Sequence, residues 1–196
     1  MRELAILTFV TLDGVMQAPV DASEDQSGNF QCAGWARPYW DDVMAQVGKE
    51  AMATPYDLLL GRTTYENFER AHSVKDDGNA DVKSPMDVAK KYVVTSSTKP
   101  LSWQNSHRIS GDILAKIERL KSTDGPLLQI HGSWQLIQLL LAHDLIDEFR
   151  LWTFPVNLGE GKKLFAGNVS KNDLDLVKTE ATGNGVVMNI YRRVSV

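Results

Sequence analysis

Three short segments of the chain carry the residue types that bind phosphate groups in proteins. Each follows an apolar run typical of a buried strand, and each is rich in small or hydroxyl residues. In open α/β sheets, ligands bind at the edge formed by the carboxyl ends of the strands. Glycine lets the backbone approach a phosphate, while hydroxyls, free amides and an arginine donate hydrogen bonds to it. The candidate residues are Gly61, Arg62, Thr63, Thr64, Thr95, Ser96, Ser97, Gly132 and Ser133.

Three such turns predict a long phosphorylated ligand such as a dinucleotide. The sequence contains neither Gly-x-Gly-x-x-Gly nor Gly-x-x-x-x-Gly-Lys-Ser/Thr, which argues against a standard NAD domain and a P-loop nucleotidase. Residues 95–99 offer hydroxyls and a lysine, and no acid that would hold a ribose 2′-hydroxyl. Together with Arg62 they favour a 2′-phosphate, and therefore NADPH over NADH. The alternative is that the turns are ordinary polar connections and that Arg62 is solvated.

Three aspartates are candidates for delivering a proton. Asp13 follows the first predicted strand, next to Gly14, where it either relays a proton or forms a turn by accepting hydrogen bonds from local amides. Asp41 and Asp42 lie in the first predicted helix, and only one of two adjacent helical residues can face a cleft. The alternative is that both are solvated. The spacing of the histidines predicts no metal site.

The composition bounds the class of protein. With 196 residues, of which 43% are hydrophobic, the chain can fill one core, and we expect a single domain over residues 1–196. Its 21 basic and 25 acidic residues give a net charge of −4, which provides no cationic field for nucleic acid or anionic lipid. No apolar run approaches the length of a membrane helix. The single cysteine, Cys32, excludes an internal disulfide, so we expect a cytoplasmic protein.

The apolar pattern predicts strands that alternate with helices. Residues 20–34 lack periodicity and indicate a long loop of the kind that forms lids or binding segments, and residues 72–87 indicate a polar excursion. The order of elements predicts an α/β sandwich with a mostly parallel sheet and an antiparallel edge. Strands are expected at residues 4–12, 58–60, 91–94, 107–109, 127–130, 146–154, 174–179 and 186–194. Helices are expected at about 38–52, after a cap at Thr63 or Thr64, at 110–123, and at 134–143 after a cap at Ser133.

Five segments, spread in order over nearly the whole chain, carry a family resemblance. They are Thr-Leu-Asp-Gly-Val-Met from residue 11, Leu-Leu-Leu-Gly-Arg-Thr-Thr-Tyr-Glu from 58, Tyr-Val-Val-Thr-Ser-Ser from 92, Ile-His-Gly-Ser from 130 and Pro-Val-Asn-Leu-Gly-Glu-Gly-Lys-Lys-Leu-Phe from 155. Together they resemble the dihydrofolate-reductase-like family. The closer resemblance is to the reductase domain of the bifunctional riboflavin-biosynthesis deaminase/reductase. A stand-alone form is expected, because the His-x-Glu and Pro-Cys-x-x-Cys of the deaminase half are absent.

The resemblance implies a three-layer sandwich in which helices flank a mixed, mostly parallel sheet that ends in an antiparallel hairpin. It implies NADPH as cofactor and hydride transfer to a small heteroaromatic or imine-type substrate, either pterin-like or riboflavin-precursor-like. Residues 61–64 would hold the phosphates, residues 95–97 the adenosine side, and residues 132–134 the pyrophosphate. His131 and Ser133 stand in a turn that is usually richer in glycine. The residues implied near the nicotinamide are Val15, Met16 and Gln17, and Trp134 completes the pyrophosphate set.

On the substrate side, the family places a carboxylate on the first helix. Asp41 and Asp42 occupy this region without the family's Pro-x-x-Asp context. Trp40 and Tyr65 are candidate substrate contacts, and the alternative for the aromatic residues is packing on a helix face. A homodimer is also expected. Two other functions remain open, namely an NADP(H)-binding module without turnover and a flavodoxin-like or other α/β protein that binds a different phosphorylated ligand.

Overall fold

An eight-stranded sheet forms the middle layer of the part of the chain that the structure describes. The computed structural model describes residues 1–53, 55–73, 84–167, 169, 171 and 173–194. The order across the sheet is β4-β3-β2-β5-β1-β6-β8-β7. The strands are β1 (Leu4–Thr11), β2 (Tyr56–Gly61), β3 (Lys91–Val94), β4 (Ser106–Ile109), β5 (Leu127–His131), β6 (Glu148–Phe154), β7 (Leu174–Ala181) and β8 (Val187–Arg193).

The first six strands in this order, β4, β3, β2, β5, β1 and β6, pair parallel with their neighbours, so their carboxyl ends share one edge of the sheet. The hairpin β7–β8 extends the sheet through the antiparallel pair β6–β8. This mixed sheet confirms the predicted fold class and differs from the all-parallel order of a flavodoxin.

Helices cover both faces of the sheet. On one face α4 and α5 bury the largest apolar cluster, which includes Ile6, Ile117 and Ile137. On the other face two smaller clusters form, one around Met44 of α1 and one around Tyr65 of α2. None of the described helices is long and apolar enough to cross a membrane. The helices are α1 (Asp42–Ala51), α2 (Arg62–Ser73), α3 (Pro85–Val88), α4 (Ile113–Ser122) and α5 (Trp134–Ala142).

The helix predicted from about residue 38 to 52 is confirmed for residues 42–51, but residues 38–41 are not part of it. Residues Arg37–Tyr39 form one 3₁₀ turn, and Trp40 is extended. The Asp41 carboxylate then accepts a hydrogen bond of 2.8 Å from the Met44 amide and caps α1. Thr63 and Thr64 lie within the first turn of α2, which begins at Arg62, so neither is the predicted cap of this helix. Of the polar excursion at 72–87, residues 74–83 lie outside those described.

Asp13 holds the turn that follows β1. Its Oδ1 accepts hydrogen bonds from the Thr11 hydroxyl at 2.6 Å and from the Leu158 amide at 3.2 Å, and its Oδ2 accepts one from the Gly159 amide at 2.9 Å. The bond from Thr11, opposed in part by burial, and those from the two amides lower the pKa of Asp13 to about 2. The ionised carboxylate therefore joins the carboxyl ends of β1 and β6.

Loss of the buried Arg2–Asp57 ion pair should destabilise the fold strongly. Arg2 Nη2 lies 2.5 Å from Asp57 Oδ2, and the two side chains are 3% and 8% exposed. Asp57→Ala should lower the free energy of unfolding in urea by about 3–5 kcal/mol, because the arginine would be left buried without its counter-charge. The control is Asp21→Ala, which removes the exposed pair with Arg37 and should cost about 0–1 kcal/mol. Equal losses in the two variants would contradict this prediction.

The Asp13 turn should make stability depend on pH. Asp13→Asn should lower the free energy of unfolding at pH 7 by roughly 1–3 kcal/mol, since hydrogen bonds to a charged acceptor are lost. The folded-state pKa of about 2 lies below the unfolded value of 3.8, so this contribution is complete above about pH 4 and is lost as the pH falls toward 2. Urea unfolding of both proteins at several pH values would measure it. A difference that stays constant down to pH 2 would refute the assignment.

Candidate cofactor and substrate site

The turns after β2 and β5 are joined by hydrogen bonds. Ser133 Oγ accepts a bond from the Gly61 amide and donates one to Thr64 Oγ1, both at 2.8 Å. A Cβ at Gly61 would lie only 3.2 Å from Ser133 Oγ, so glycine permits this approach. The predicted phosphate-binding residues 61–64 and 132–133 are therefore brought together on neighbouring strands.

Two helices begin at this junction. Helix α2 starts directly after Gly61, and α5 starts after Ser133, which has a φ of 64° and makes no side-chain cap. The helix predicted from Trp134 is confirmed, but the prediction that Ser133 caps it was wrong, because its hydroxyl bonds to the neighbouring turn. The positive ends of two helix dipoles and the first-turn amides of α5 thus lie close together, which is an arrangement suited to an anion.

Arg62 forms a wall of the site beside the loop that follows β3. Its Nε lies 2.6 Å from Glu66 Oε1, and its Nη1 and Nη2 donate to the carbonyls of Lys99 and Pro100, both at 3.3 Å. Arg108 on β4 donates from Nη2 to the same Lys99 carbonyl at 2.6 Å. Two guanidinium groups therefore meet at one loop, which favours a phosphate there over a neutral ribose. Sequence reasoning missed Arg108, because only the pairing of β3 with β4 brings it to this edge.

The hydroxyls of residues 95–97 shape this loop. Thr95 Oγ1 accepts a hydrogen bond of 3.0 Å from the Ser97 amide, and Ser97 Oγ accepts one of 3.2 Å from the Lys99 amide. Thr95 is buried, whereas Ser96 is exposed. The loop therefore keeps its form by internal bonds and presents Ser96 at the surface.

The segment expected near the nicotinamide is fixed to the loop after β6. Val15 forms a β-bridge with Lys163, and the Met16 amide donates to the Lys162 carbonyl at 2.9 Å. Gln17 is buried, and its Oε1 accepts a bond from the Lys162 amide at 3.1 Å while its Nε2 donates to the Ser27 carbonyl at 2.9 Å. These contacts hold the end of β1 in one position relative to residues 157–164.

Residues 20–34 lie across the carboxyl edge of the sheet. Asp25 pairs with Lys162 Nζ at 2.6 Å, and the Glu24 carbonyl accepts a bond of 3.2 Å from Asn67 on α2. Trp134 faces the same region, where its Nε1 donates to the Lys163 carbonyl at 2.8 Å. Beneath the loop is a cavity of about 270 Å³. Its lining residues are Gln17, Ser27, Gly28, Phe30, Glu160, Gly161 and Lys162.

On the face covered by α1 and α2, the sheet between the two apolar clusters is only partly covered, and this strip is called the cleft. The central strand β1 shows this directly, because Leu7 and Phe9 on this face are half-buried while Ile6, Thr8 and Val10 on the other face are buried. His131 on β5 and Arg150 on β6 are both in register with Leu7. They therefore flank it in a row roughly 10 Å wide across the cleft floor. Sequence reasoning missed this row, because only strand register brings its three residues side by side.

The polar part of the floor is ordered by internal bonds. His131 Nε2 lies 2.9 Å from Gln129 Oε1, and Arg150 Nε lies 2.5 Å from Glu148 Oε1. Burial, and secondarily the Arg150 cation, lower the pKa of His131 to about 4, so the imidazole is neutral at pH 7. Such a floor presents a neutral imidazole and a guanidinium on either side of an aliphatic side chain.

The five remaining candidate residues lie in different environments. Asp13 is an ionised turn residue and Asp41 is a helix cap, so both carboxylates have structural partners. Asp42 is exposed in the first turn of α1. Tyr65 is fully buried, and its hydroxyl accepts a bond of 2.8 Å from the Trp103 amide, so it lies in the core and not in the cleft. Trp40 is 53% exposed with its ring 6.3 Å from that of Phe9, at the side of the cleft.

No group of three or more His, Cys, Asp or Glu side chains within the described residues is arranged to hold a metal ion.

Comparisons with known proteins agree with this architecture. The family model of the RibD C-terminal domain matches residues 2–188. The uncharacterized protein YwjB of Bacillus subtilis strain 168 is 30% identical over 193 residues, which cover 97% of this chain and 98% of YwjB. The uncharacterized protein YyaP of the same strain is 35% identical over 102 residues. This match spans only about half of either protein, 52% of this chain and 54% of YyaP.

Two solved structures share the fold. A putative riboflavin biosynthesis protein from Shewanella sp. PV-4 superposes with a TM-score of 0.68 at 20% identity, with each chain fully covered. Dihydrofolate reductase from Enterococcus faecalis, complexed with NADP(H) and RAB-propyl, superposes with a TM-score of 0.61 at 14% identity and covers 98% of this chain and 97% of its own. The family model covers nearly the whole sequence, and the protein therefore belongs to the RibD C-terminal domain family, with a dihydrofolate-reductase-like fold.

Proposed function

We propose that this protein is an NADPH-dependent oxidoreductase that transfers a hydride to a small heteroaromatic or imine-type substrate, pterin-like or riboflavin-precursor-like. The observation that carries the proposal is that the candidate phosphate-binding turn after β5 and the cleft floor lie on the same strand, next to β1, and share one edge of the sheet. A cofactor whose phosphates lie at the turns can thus reach a substrate lying on Leu7 and Phe9. The NADP(H) complex of the Enterococcus reductase supports this choice of cofactor.

The cofactor fits the donors that the chain provides. The amino-terminal ends of α2 and α5 and the hydroxyls of Thr63 and Thr64 would hold the diphosphate, and Trp134 would lie beside it. The 2′-phosphate and the adenosine side would be held by Arg62, Ser96 and Arg108. Among the described residues, Glu66 is the one carboxylate that pairs with Arg62. Val15, Met16 and Gln17 would adjoin the nicotinamide. When bound, NADPH supplies the hydride.

The protein's own contribution is orientation and exclusion of water. Leu7 and Phe9 give a flat apolar surface on which a planar ring can stack, and Trp40 closes one side. The loop 20–34, held by Asp25 and Asn67, covers the edge where the two ligands meet. Excluding water there strengthens the polar contacts that fix the substrate and keeps the reacting atoms at short range.

We assign delivery of the proton to water and not to a carboxylate. Asp13 stays ionised in its turn, since its pKa is about 2, and Asp41 is occupied as a helix cap. Asp42 lies at the surface of α1. An ordered water at the mouth of the cleft would therefore protonate the substrate atom next to the one that accepts the hydride.

Arg62 should contribute directly to NADPH affinity. In calorimetric titrations, Arg62→Ala should raise the NADPH dissociation constant about 10- to 150-fold, as expected for about 1.5–3 kcal/mol from hydrogen bonds to a charged group. The control is Arg119→Ala, because Arg119 is an exposed residue of α4 on the opposite face. Wild-type protein should bind NADPH more tightly than NADH, and Arg62→Ala should narrow that preference. Binding of neither nucleotide to the wild type would refute the proposed function.

Replacement of the capping aspartate should leave turnover intact. Asparagine caps helices as well as aspartate does but does not donate a carboxylic proton. Asp41→Asn should therefore retain kcat within about threefold, whereas Asp41→Ala should lose about 1 kcal/mol of stability. The assay is oxidation of NADPH with whichever substrate a panel of pterins, flavin precursors and quinones identifies. A hundredfold loss of kcat in Asp41→Asn, with its stability unchanged, would restore Asp41 as the proton donor.

A second function is favoured by one observation, the structural use of the candidate carboxylates. A protein that binds NADP(H) without turnover would need the turns and not a proton donor. Tight NADPH binding combined with no stimulated oxidation across the whole panel would select this alternative.

A further inference from the structure

The cleft floor contains a polar pair where the neighbouring clusters are apolar. His131 lies beside Leu7 in the sheet, and Gln129 lies beside Ala5, one pleat away on the same face. Phe68 of α2 packs its ring edge-on at 6.0 Å from the imidazole. Gln129 is fully buried, whereas His131 is 9% exposed to solvent. The imidazole is therefore held by a rigid partner below and an aromatic ring at its side.

The hydrogen bond to Gln129 determines which ring nitrogen carries the proton. Gln129 Oε1 only accepts, so His131 Nε2 must donate across the 2.9 Å that separates them. The neutral imidazole then carries a lone pair on Nδ1, and within the described residues Nδ1 has no hydrogen-bond partner. The Arg150 guanidinium on the other side of Leu7 disfavours a second proton on the ring. His131 is thus fixed as a hydrogen-bond acceptor next to the cleft.

We propose that His131 determines substrate specificity by accepting, at Nδ1, a hydrogen bond from a ring N–H or amino group of the substrate. This inference rests on the proposed function and narrows its substrate class to nitrogen heterocycles that carry such a donor at the edge facing β5. Pyrimidinediones and pterins satisfy this condition. Quinones and fully N-alkylated rings do not, and they would leave the acceptor buried without a partner, which is the basis of strong discrimination in polar sites.

Two pteridines that differ only in their donors test the proposal. Lumazine has N–H groups in its pyrimidinedione ring, and 1,3-dimethyllumazine has none. Each would be titrated into the protein saturated with NADP⁺, so that binding is measured without turnover. Wild-type protein should bind lumazine about tenfold more tightly, the ratio expected from one hydrogen bond to a neutral group.

Two variants separate the effect of the hydrogen bond on binding from the effect of the added methyl groups. Asparagine places its carbonyl oxygen close to the position of Nδ1, so His131→Asn should keep most of the preference for lumazine. Leucine has no acceptor, so His131→Leu should bring the ratio of the two affinities to about one. The matched control is His143→Leu, since His143 is exposed at the end of α5. An unchanged ratio in His131→Leu would show that shape alone discriminates and would overturn the proposal.

A spectroscopic measurement tests direct contact. The chain has four histidines, so ¹⁵N-histidine labelling gives few resonances, and the His131 variants assign the one of interest. Lumazine should shift the Nδ1 resonance of His131, and 1,3-dimethyllumazine should leave it in place. Binding of lumazine without that shift would overturn the proposal even if a variant failed to fold. Binding of NADP⁺ with no binding of lumazine would also overturn it and leave the proposed function standing, whereas failure to bind the nucleotide refutes the latter.

Discussion

Parallel pairing on both sides of β1 is the constraint from which the site follows. Because β5 and β6 run in the same direction as β1, the turn after β1, the turn after β5 and the loop after β6 all emerge at one edge. The pairing of β5 with β2 adds the Gly61 turn to the same edge. Residues more than 100 positions apart in sequence are thereby brought within hydrogen-bond distance, as the contact between Asp13 and Gly159 illustrates. Reversing a single strand in this set would disperse the site.

The sequence was sufficient for the features that depend on local pattern. The apolar run before Gly61 predicted β2, the hydroxyls after Val94 predicted a turn, and the last two strands were predicted as a hairpin. The resemblance carried by the five segments led to the correct family and fold class. The strand, the turn and the hairpin are each encoded within ten or so neighbouring residues, which is the range over which periodicity and turn chemistry act.

Features that depend on register and burial were beyond sequence reasoning. The helical spacing of residues 38–47 gave no sign that the Asp41 carboxylate would cap α1 and divide the predicted helix. The sequence around Tyr65 does not distinguish a side chain that faces a cleft from one that faces the core, and the packing of α2 places it in the core. His131 was recognised only as a departure from a glycine-rich turn. Its place beside Leu7 and Arg150 follows from strand register, which one chain segment does not specify by itself.

The manner in which residues 20–34 are attached has a kinetic consequence. The attachments described here are hydrogen bonds from Gln17 and Asn67 and the ion pair between Asp25 and Lys162, whose side chains are each 28% exposed. Opening the loop also withdraws the Phe30 ring from the apolar cluster beneath α1 but leaves the rest of the core in place, so the loop can open at a fraction of the free energy of global unfolding. Added salt weakens partly exposed ion pairs. Ligand exchange should therefore accelerate with ionic strength while the fold keeps its stability, and the residence time of a bound molecule is adjustable separately from the strength of the core.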